Sequence, residues 1–266
     1  MPNIIMGNNQ IAEETRVWKA LVQSSGGGFQ WNSVAIANNF VKKIKTKSYY
    51  SKIIYLNAML GTGIGAAIVP LIDKLRAGPA TNSGFVDADF NQAFGLQGNG
   101  AKILNTNILP SSLGASNNGG LGHWENNFTG SGDVEPIGCY NNNGSNRFVL
   151  DLRPTIRTFR WGLPGNGAGD ATAGDNAHWY GQRSSATSRE LFRNAVSIGT
   201  NTTSDVTSQT NDSYIHLVGS YENIGQYPWP GRCGLAYMTD GTLTSNEVSD
   251  FNLILRAYLI GPTGKP

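Results

Sequence analysis

The hexapeptide Gly61-Thr62-Gly63-Ile64-Gly65-Ala66 follows the apolar run KIIYLNAML and holds the residue types of a dinucleotide-binding turn, in which glycines let the backbone approach a pyrophosphate. Its surroundings argue against that chemistry. Pro70 falls where a phosphate-binding helix would make its first turns, removing a hydrogen bond and clashing with the preceding carbonyl. The rest of the chain also lacks the alternating strands and helices of a parallel sheet. A second glycine-rich stretch, FGLQGNGAKILNTNI (94–108), is followed by β-prone residues rather than a helix. Asn99-Gly100 there predicts a hairpin turn, with Leu96 starting one strand and Ile103 and Asn105 on the next.

Paired carboxylates could hydrolyse a glycoside, but Asp87/Asp89, Asp133/Glu135 and Asp170/Asp175 read as surface loop acids rather than neighbours on an apolar strand. His123, His178 and His216 stand singly, without the spacing of a zinc site. His216, alternating with Tyr214, reads as a strand residue. No Gly-x-Ser-x-Gly elbow is present, so no catalytic residue and no cofactor are assigned.

Aromatic residues beside Gly- and Asn-rich segments are the candidates for binding: Trp124, Trp161, Trp179, Tyr180, Tyr227 and Trp229. Such rings stack on pyranose faces while amide side chains supply hydrogen bonds. They serve equally as core plugs or as anchors of a protein interface, and packing or interface is the preferred reading.

The elements that position them change character along the chain. IAEETRVWKALVQS has Ile11, Val17 or Trp18, and Leu21 at near-helical spacing, with Glu13 and Glu14 in the first turn, where they complement the helix dipole. After Gly26-Gly27-Gly28, Ser33 is placed to cap a helix over 33–47 with Ile36, Phe40 and Ile44 on one face. From about residue 85, short β-prone runs alternate with turn residues: AKILNTNIL, NRFVLDLR, TIRTFRW, AHWYGQ, ELFRNAVSIG, SYIHLVGS and CGLAYMT. Seven or more strands so spaced predict a sandwich. Near the C-terminus, Thr244 or Ser245 with Glu247 forms a capping-box pattern ahead of Val248, Phe251, Leu255 and Leu259.

The composition agrees with a loop-rich β protein: 34 glycines, 39% hydrophobic and only 14% charged residues. A net charge of +2 gives no strong field for nucleic acid, and the cluster Lys42, Lys43, Lys45, Lys47 and Lys52 reads as a solvated helix face. MPNIIMGNNQ lacks the parts of a secretion signal and no uncharged run is long enough to span a bilayer. The expectation is therefore a chain that begins at Met1, is made in the cytoplasm and has neither a membrane nor a nucleic-acid partner. Cys139 and Cys233 are expected to be reduced.

SYIHLVGSYENIGQYPWPGRCGLAYMTDGTLTSNEVSDF resembles the closing segment of laminin-G-like, concanavalin A-like jelly rolls. VWKALVQSSGG, FVKKIKTKSYYSKIIYLNAMLGTG, AAIVPLI and FGLQGNGAKILNTNI resemble parts of proteins of tailed bacteriophages. Together these imply a mainly β fold, an antiparallel β-sandwich of the concanavalin A-like jelly-roll type, with an N-terminal helical and strand region (1–84) packed on a laminin-G-like jelly roll with a short C-terminal helix (85–266), or the two as one continuous domain. They imply a location in the virion and no catalysis. The leading expectation is a structural protein, a capsid decoration (cement) or tail component, forming homo-oligomers and contacting other virion proteins. The alternative is a lectin-like module binding host surface polysaccharide. Trp124, Trp179, Tyr180, Tyr227 and Trp229 are the candidate contacts in either case. Some laminin-G-like modules bind calcium at loop acids, but no matching set is present, so no metal is assigned.

Overall fold

In strand Arg147–Leu152, Phe148 and Leu150 join the intersheet core, while Val149 between them is equally buried but outside that cluster, so the strand is covered on both faces rather than half-buried. A computed structural model describes residues 11–98, 102–113, 118–126, 134–140, 147–152, 157–162, 167–170, 176–204, 213–220, 227–228 and 230–265. In it, this strand belongs to a seven-stranded sheet ordered Gly167–Asp170, Arg157–Gly162, Arg147–Leu152, Val134–Tyr140, His216–Leu217, Ile103–Asn105 and Thr81–Ser83. A nine-stranded sheet faces it, running Val196–Asn201, Ser188–Arg193, Ala177–Ser185, Gly119–Asn126, Arg232–Asp240, Ile53–Asn57 and Ile72–Asp73, with Phe90–Asn91 and Gly95–Gln97 attached beside Arg232–Asp240. The pairings are antiparallel, and the protein is a mainly β sandwich with a few helices, one of them C-terminal.

Between the sheets lies one core, containing Leu121, Trp179, Met238, Phe148, Phe159 and Trp161. A second core lies on the other face of the nine-stranded sheet, under the helices. Helix α1 (Glu13–Ser24) contributes Trp18 and Val22, α2 (Ser33–Ile44) contributes Ile36, Phe40 and Ile44, and a later helix contributes Val248, Phe251 and Leu255. The order is thus helices, sheet, sheet. No helix among the described residues is long and apolar enough to cross a membrane.

Several local expectations change. Ser33 is the first residue of α2 rather than its cap: Asn32 holds that position, without a side-chain capping bond. The run ELFRNAVSIG is two strands, Ser188–Arg193 and Val196–Asn201, joined where Asn194 and Ala195 take φ of 49° and 70°. The hairpin expected at 96–105 does not form. Gly95–Gln97 pairs with Arg232–Asp240 in one sheet while Ile103–Asn105 pairs with His216–Leu217 and Thr81–Ser83 in the other. The stretch crosses between the sheets, because burying both Leu96 and Leu104 in the intersheet core satisfies the apolar residues better than a local turn. Asn99 and Gly100 lie outside the described residues.

After α3 (Ile64–Ala67), helix α4 (Ser245–Leu255) starts with a complete capping box: Glu247 N–H donates to Thr244 Oγ1 (3.2 Å) and Thr244 N–H to Glu247 Oε2 (2.8 Å). Three of the clustered lysines tie the helical layer together through Lys45–Glu14 (2.7 Å), Lys47–Asp250 (2.8 Å) and Lys52–Glu247 (2.9 Å). They hold α2 and the start of the first strand to α1 and α4. Cys139 and Cys233 are free and buried, and burial pushes the Cys233 thiol up to about 12.

Candidate ligand-binding surface

Four of the aromatic residues singled out from sequence, Trp124, Trp161, Trp179 and Tyr180, are interior. Trp124, Trp179 and Tyr180 lie on adjacent strands of the nine-stranded sheet and are buried to 1% exposure or less. Their alternation sends Trp124 and Tyr180 into the helix-side core and Trp179 into the intersheet core. No ring face is left for a sugar, so these three are packing residues. Trp161 is likewise in the intersheet core. Tyr227 belongs to the short strand Tyr227–Pro228, but its side chain and the whole of Trp229 lie outside the described residues.

The polar residues under α4 are also internal. His178 Nδ1 is 3.1 Å from Asn252 Oδ1 and its Nε2 is 2.8 Å from the Tyr237 hydroxyl. With the Asn252 oxygen as acceptor, Nδ1 carries the proton and the Tyr237 hydroxyl donates to Nε2. Burial pushes this imidazole down to about 3, so the ring is a neutral core residue. His216 is a strand residue, pushed down to about 4 by burial, and His123 is buried in strand Gly119–Asn126. Asp87 accepts from Ile64 N–H (2.8 Å), and Asp89 pairs with Lys102 (2.8 Å). These acids hold turns in place. Glu135 is buried, and Asp133 and Asp175 lie outside the described residues. No three His, Cys, Asp or Glu side chains group as a metal site among the described residues.

The glycines of the nucleotide-like hexapeptide serve packing. A Cβ on Gly65 would sit 2.3 Å from Ser25 O and 2.5 Å from Gly27 N, so the loop after α1 rests directly on this backbone. An isolated bridge between Gly28 and Thr62 continues the contact. The contact fixes the segment that carries the one tryptophan at the surface among the described residues.

That residue, Trp31, is 96% exposed, and sequence reasoning passed it over because no periodic or strand pattern surrounds it. It occupies the corner of a turn in which Ser33 N–H donates to Gln30 O (3.1 Å) and Asn32 has φ −106°, ψ −9°, close to the third position of a type I turn. Gln30 N–H donates to Ser33 Oγ (3.0 Å), whose hydroxyl donates to Gln92 Oε1 (2.8 Å). Gly61 N–H donates to the same Gln92 oxygen (2.7 Å), and Gln92 Nε2 donates to Gln30 Oε1 (3.0 Å) and Asn32 Oδ1 (3.4 Å). Buried Gln92 therefore locks the turn to two other segments. Those segments also expose Val86 (56%) and Phe94 (46%). An exposed indole on a turn fixed by hydrogen bonds and flanked by amides is placed to stack on a ligand.

A separate groove of about 510 Å³ runs between α1 and the 70–78 segment, with Val17, Trp18, Leu21, Pro70 and Leu71 as its apolar wall and Glu13, Asp73 and Arg76 among its polar lining. Glu14, also lining it, is held by Lys45 and the Tyr50 hydroxyl (2.8 Å). Asp73 is spent on the backbone N–H groups of Ala77 (3.0 Å) and Gly78 (2.8 Å).

The sequence matches no protein-family model and no curated protein. Among solved structures, the fold is similar to an HCR/D W1238A mutant (TM-score 0.56, 10% identity, 78% of this chain and 53% of that one). It is also similar to a Trypanosoma rangeli sialidase in complex with 2,3-difluorosialic acid (TM-score 0.53, 10% identity, 85% of this chain and 39% of that one). A weaker likeness is to the CBM40 carbohydrate-binding module of the Ruminococcus gnavus IT-sialidase (TM-score 0.47, 13% identity, 59% and 96%). The chain spans about half or less of the first two. At these identities the likeness shows the β-sandwich fold.

Proposed function

We propose that this chain is a lectin-like carbohydrate-binding sandwich that acts without catalysis, with Trp31 as the residue that stacks on a sugar. The observation that carries the reading is the 96% exposure of an indole whose turn is locked by Gln92. The held turn keeps the backbone cost of presenting the ring small, and the apolar face of a pyranose removes the ring from water. The sandwich fold is compatible with this reading, since a sialidase is among the solved structures of similar fold. Glycan-array binding by the wild-type protein, lost in Trp31→Ala while the thermal midpoint stays put, is the expected result. An array silent for the intact protein would end the reading.

The second reading is a bacteriophage virion component, a capsid decoration or tail protein that works in a homo-oligomer or against other virion subunits. Val86 and Phe94 are exposed apolar side chains near Gln92 in the chain, and exposed apolar residues of this kind favour a protein contact. Sedimentation of the wild type against a Trp31→Ala, Phe94→Ala variant tests it: an oligomer that dissociates in the variant supports a protein interface, and a monomer in both removes self-association from the reading.

A further inference from the structure

The donors and acceptors around Trp31 can be assigned, and the assignment names a class of sugar. A backbone N–H only donates, so Gly61 N–H, 2.7 Å away, fixes the Gln92 carboxamide with its oxygen towards Gly61 and Ser33. Its Nε2 then faces Gln30 and Asn32, at 3.0 and 3.4 Å, and both of these must present oxygen to it. The amide nitrogens of Gln30 and Asn32 are left with no hydrogen bond among the described residues. They flank Trp31 in the chain on either side, on residues that are exposed and half-buried. The surface around the indole thus offers donors from uncharged groups.

Resting on the carbohydrate reading above, we propose that the Trp31 turn selects acetamido sugars, units bearing an N-acetyl group on a pyranose. An acetamido carbonyl is a strong neutral acceptor that matches an amide N–H₂, and its methyl group adds apolar surface against the indole. A hydroxyl in the same place also accepts from an amide N–H₂, but it is a weaker acceptor than an amide carbonyl and brings no methyl group to the indole. The open ring, with no wall on its exposed side, closes over no chain end, so internal units of a polymer are bound as well as terminal ones.

The test compares triacetylchitotriose with cellotriose, which share a β-1,4-linked gluco backbone and differ at the acetamido position, by calorimetry and tryptophan fluorescence on the full chain. The expected result is binding of the acetamido trimer about tenfold tighter, equivalent to about 1.4 kcal/mol. Gln30→Glu and Asn32→Asp keep the oxygens that accept from Gln92 and remove the outward N–H₂ groups. Either should lower that preference severalfold, with the thermal midpoint checking the turn. Equal affinity for the two trimers, or a preference unchanged in both variants, overturns the acetamido assignment and leaves the carbohydrate reading standing. Silence of these trimers while other array glycans bind also overturns it, and silence of every glycan overturns both.

Discussion

Gln92 and Trp31 share no hydrogen bond, yet Gln92 sets where Trp31 stands. The buried carboxamide holds residues 30, 32 and 33, on both sides of the indole, and the backbone of Gly61 at once. Gln92→Ala leaves the Gly61 N–H and the Ser33 hydroxyl without their acceptor in a buried place. A loss of about 2–6 kcal/mol follows, from about 1–3 kcal/mol for each of the two orphaned groups, measured by urea unfolding. The same variant should free the turn, seen as lower fluorescence anisotropy on the red-emitting edge where an exposed indole dominates.

The tryptophans divide sharply by cost. Trp31→Ala, at a 96% exposed site, should change stability by no more than about 0.5 kcal/mol. Trp179→Ala, from a 0% exposed site between the sheets, should cost about 3–5 kcal/mol. Thermal melts of the two variants check this, and a loss of ligand binding in Trp179→Ala would report unfolding rather than a contact.

Stability should fall with acid before the carboxylates protonate. The folded pKa of His178 lies near 3 and that of His216 near 4, both pushed down by burial, against about 6.5 in an unfolded chain. Below pH 6.5 the unfolded state binds protons that the native state refuses, so this contribution is whole above pH 6.5 and declines towards pH 3–4. From pH 6.5 to 4 His178 alone should remove about 2–3 kcal/mol, read as a falling urea midpoint. In His178→Gln the slope over that interval should be shallower.

Gly122 lies under the Tyr237 ring, and an added Cβ there would sit 2.0 Å from Tyr237 Cζ. Gly122→Ala must displace the ring and with it the 2.8 Å bond to His178. A penalty of about 1–3 kcal/mol is expected, measured by thermal unfolding. Gly78→Ala, where space is open but φ is +76°, separates crowding from backbone strain.

Both thiols should resist modification in the native state. Cys139 and Cys233 are buried, and the Cys233 thiol is held protonated by burial. Labelling by an aromatic disulfide reagent should be negligible at neutral pH and rapid in denaturant. A fast-reacting native thiol would contradict this packing.

The class of the fold and most of its elements were legible in the order of residues alone. Periodicity placed α1, α2 and α4, because an amphipathic helix writes its buried face at 3.6-residue spacing. The capping box of α4 was legible for the same local reason. Alternation in NRFVLDLR identified a strand. Strand Gly119–Asn126, at the centre of its sheet, was illegible. Its glycines argue against a strand locally, and only the packed structure shows that Gly120 and Gly122 make room for the Tyr180 and Tyr237 rings. Tertiary structure alone also decided that 94–108 crosses between sheets, and which tryptophans face water. Trp124 and Trp179 sit in polar, glycine-rich surroundings in the chain yet lie inside, while Trp31 stands outside. Exposure depends on what residues distant in sequence cover, and for Trp31 the decisive neighbours, Gly61 and Gln92, are about 30 and 60 positions away.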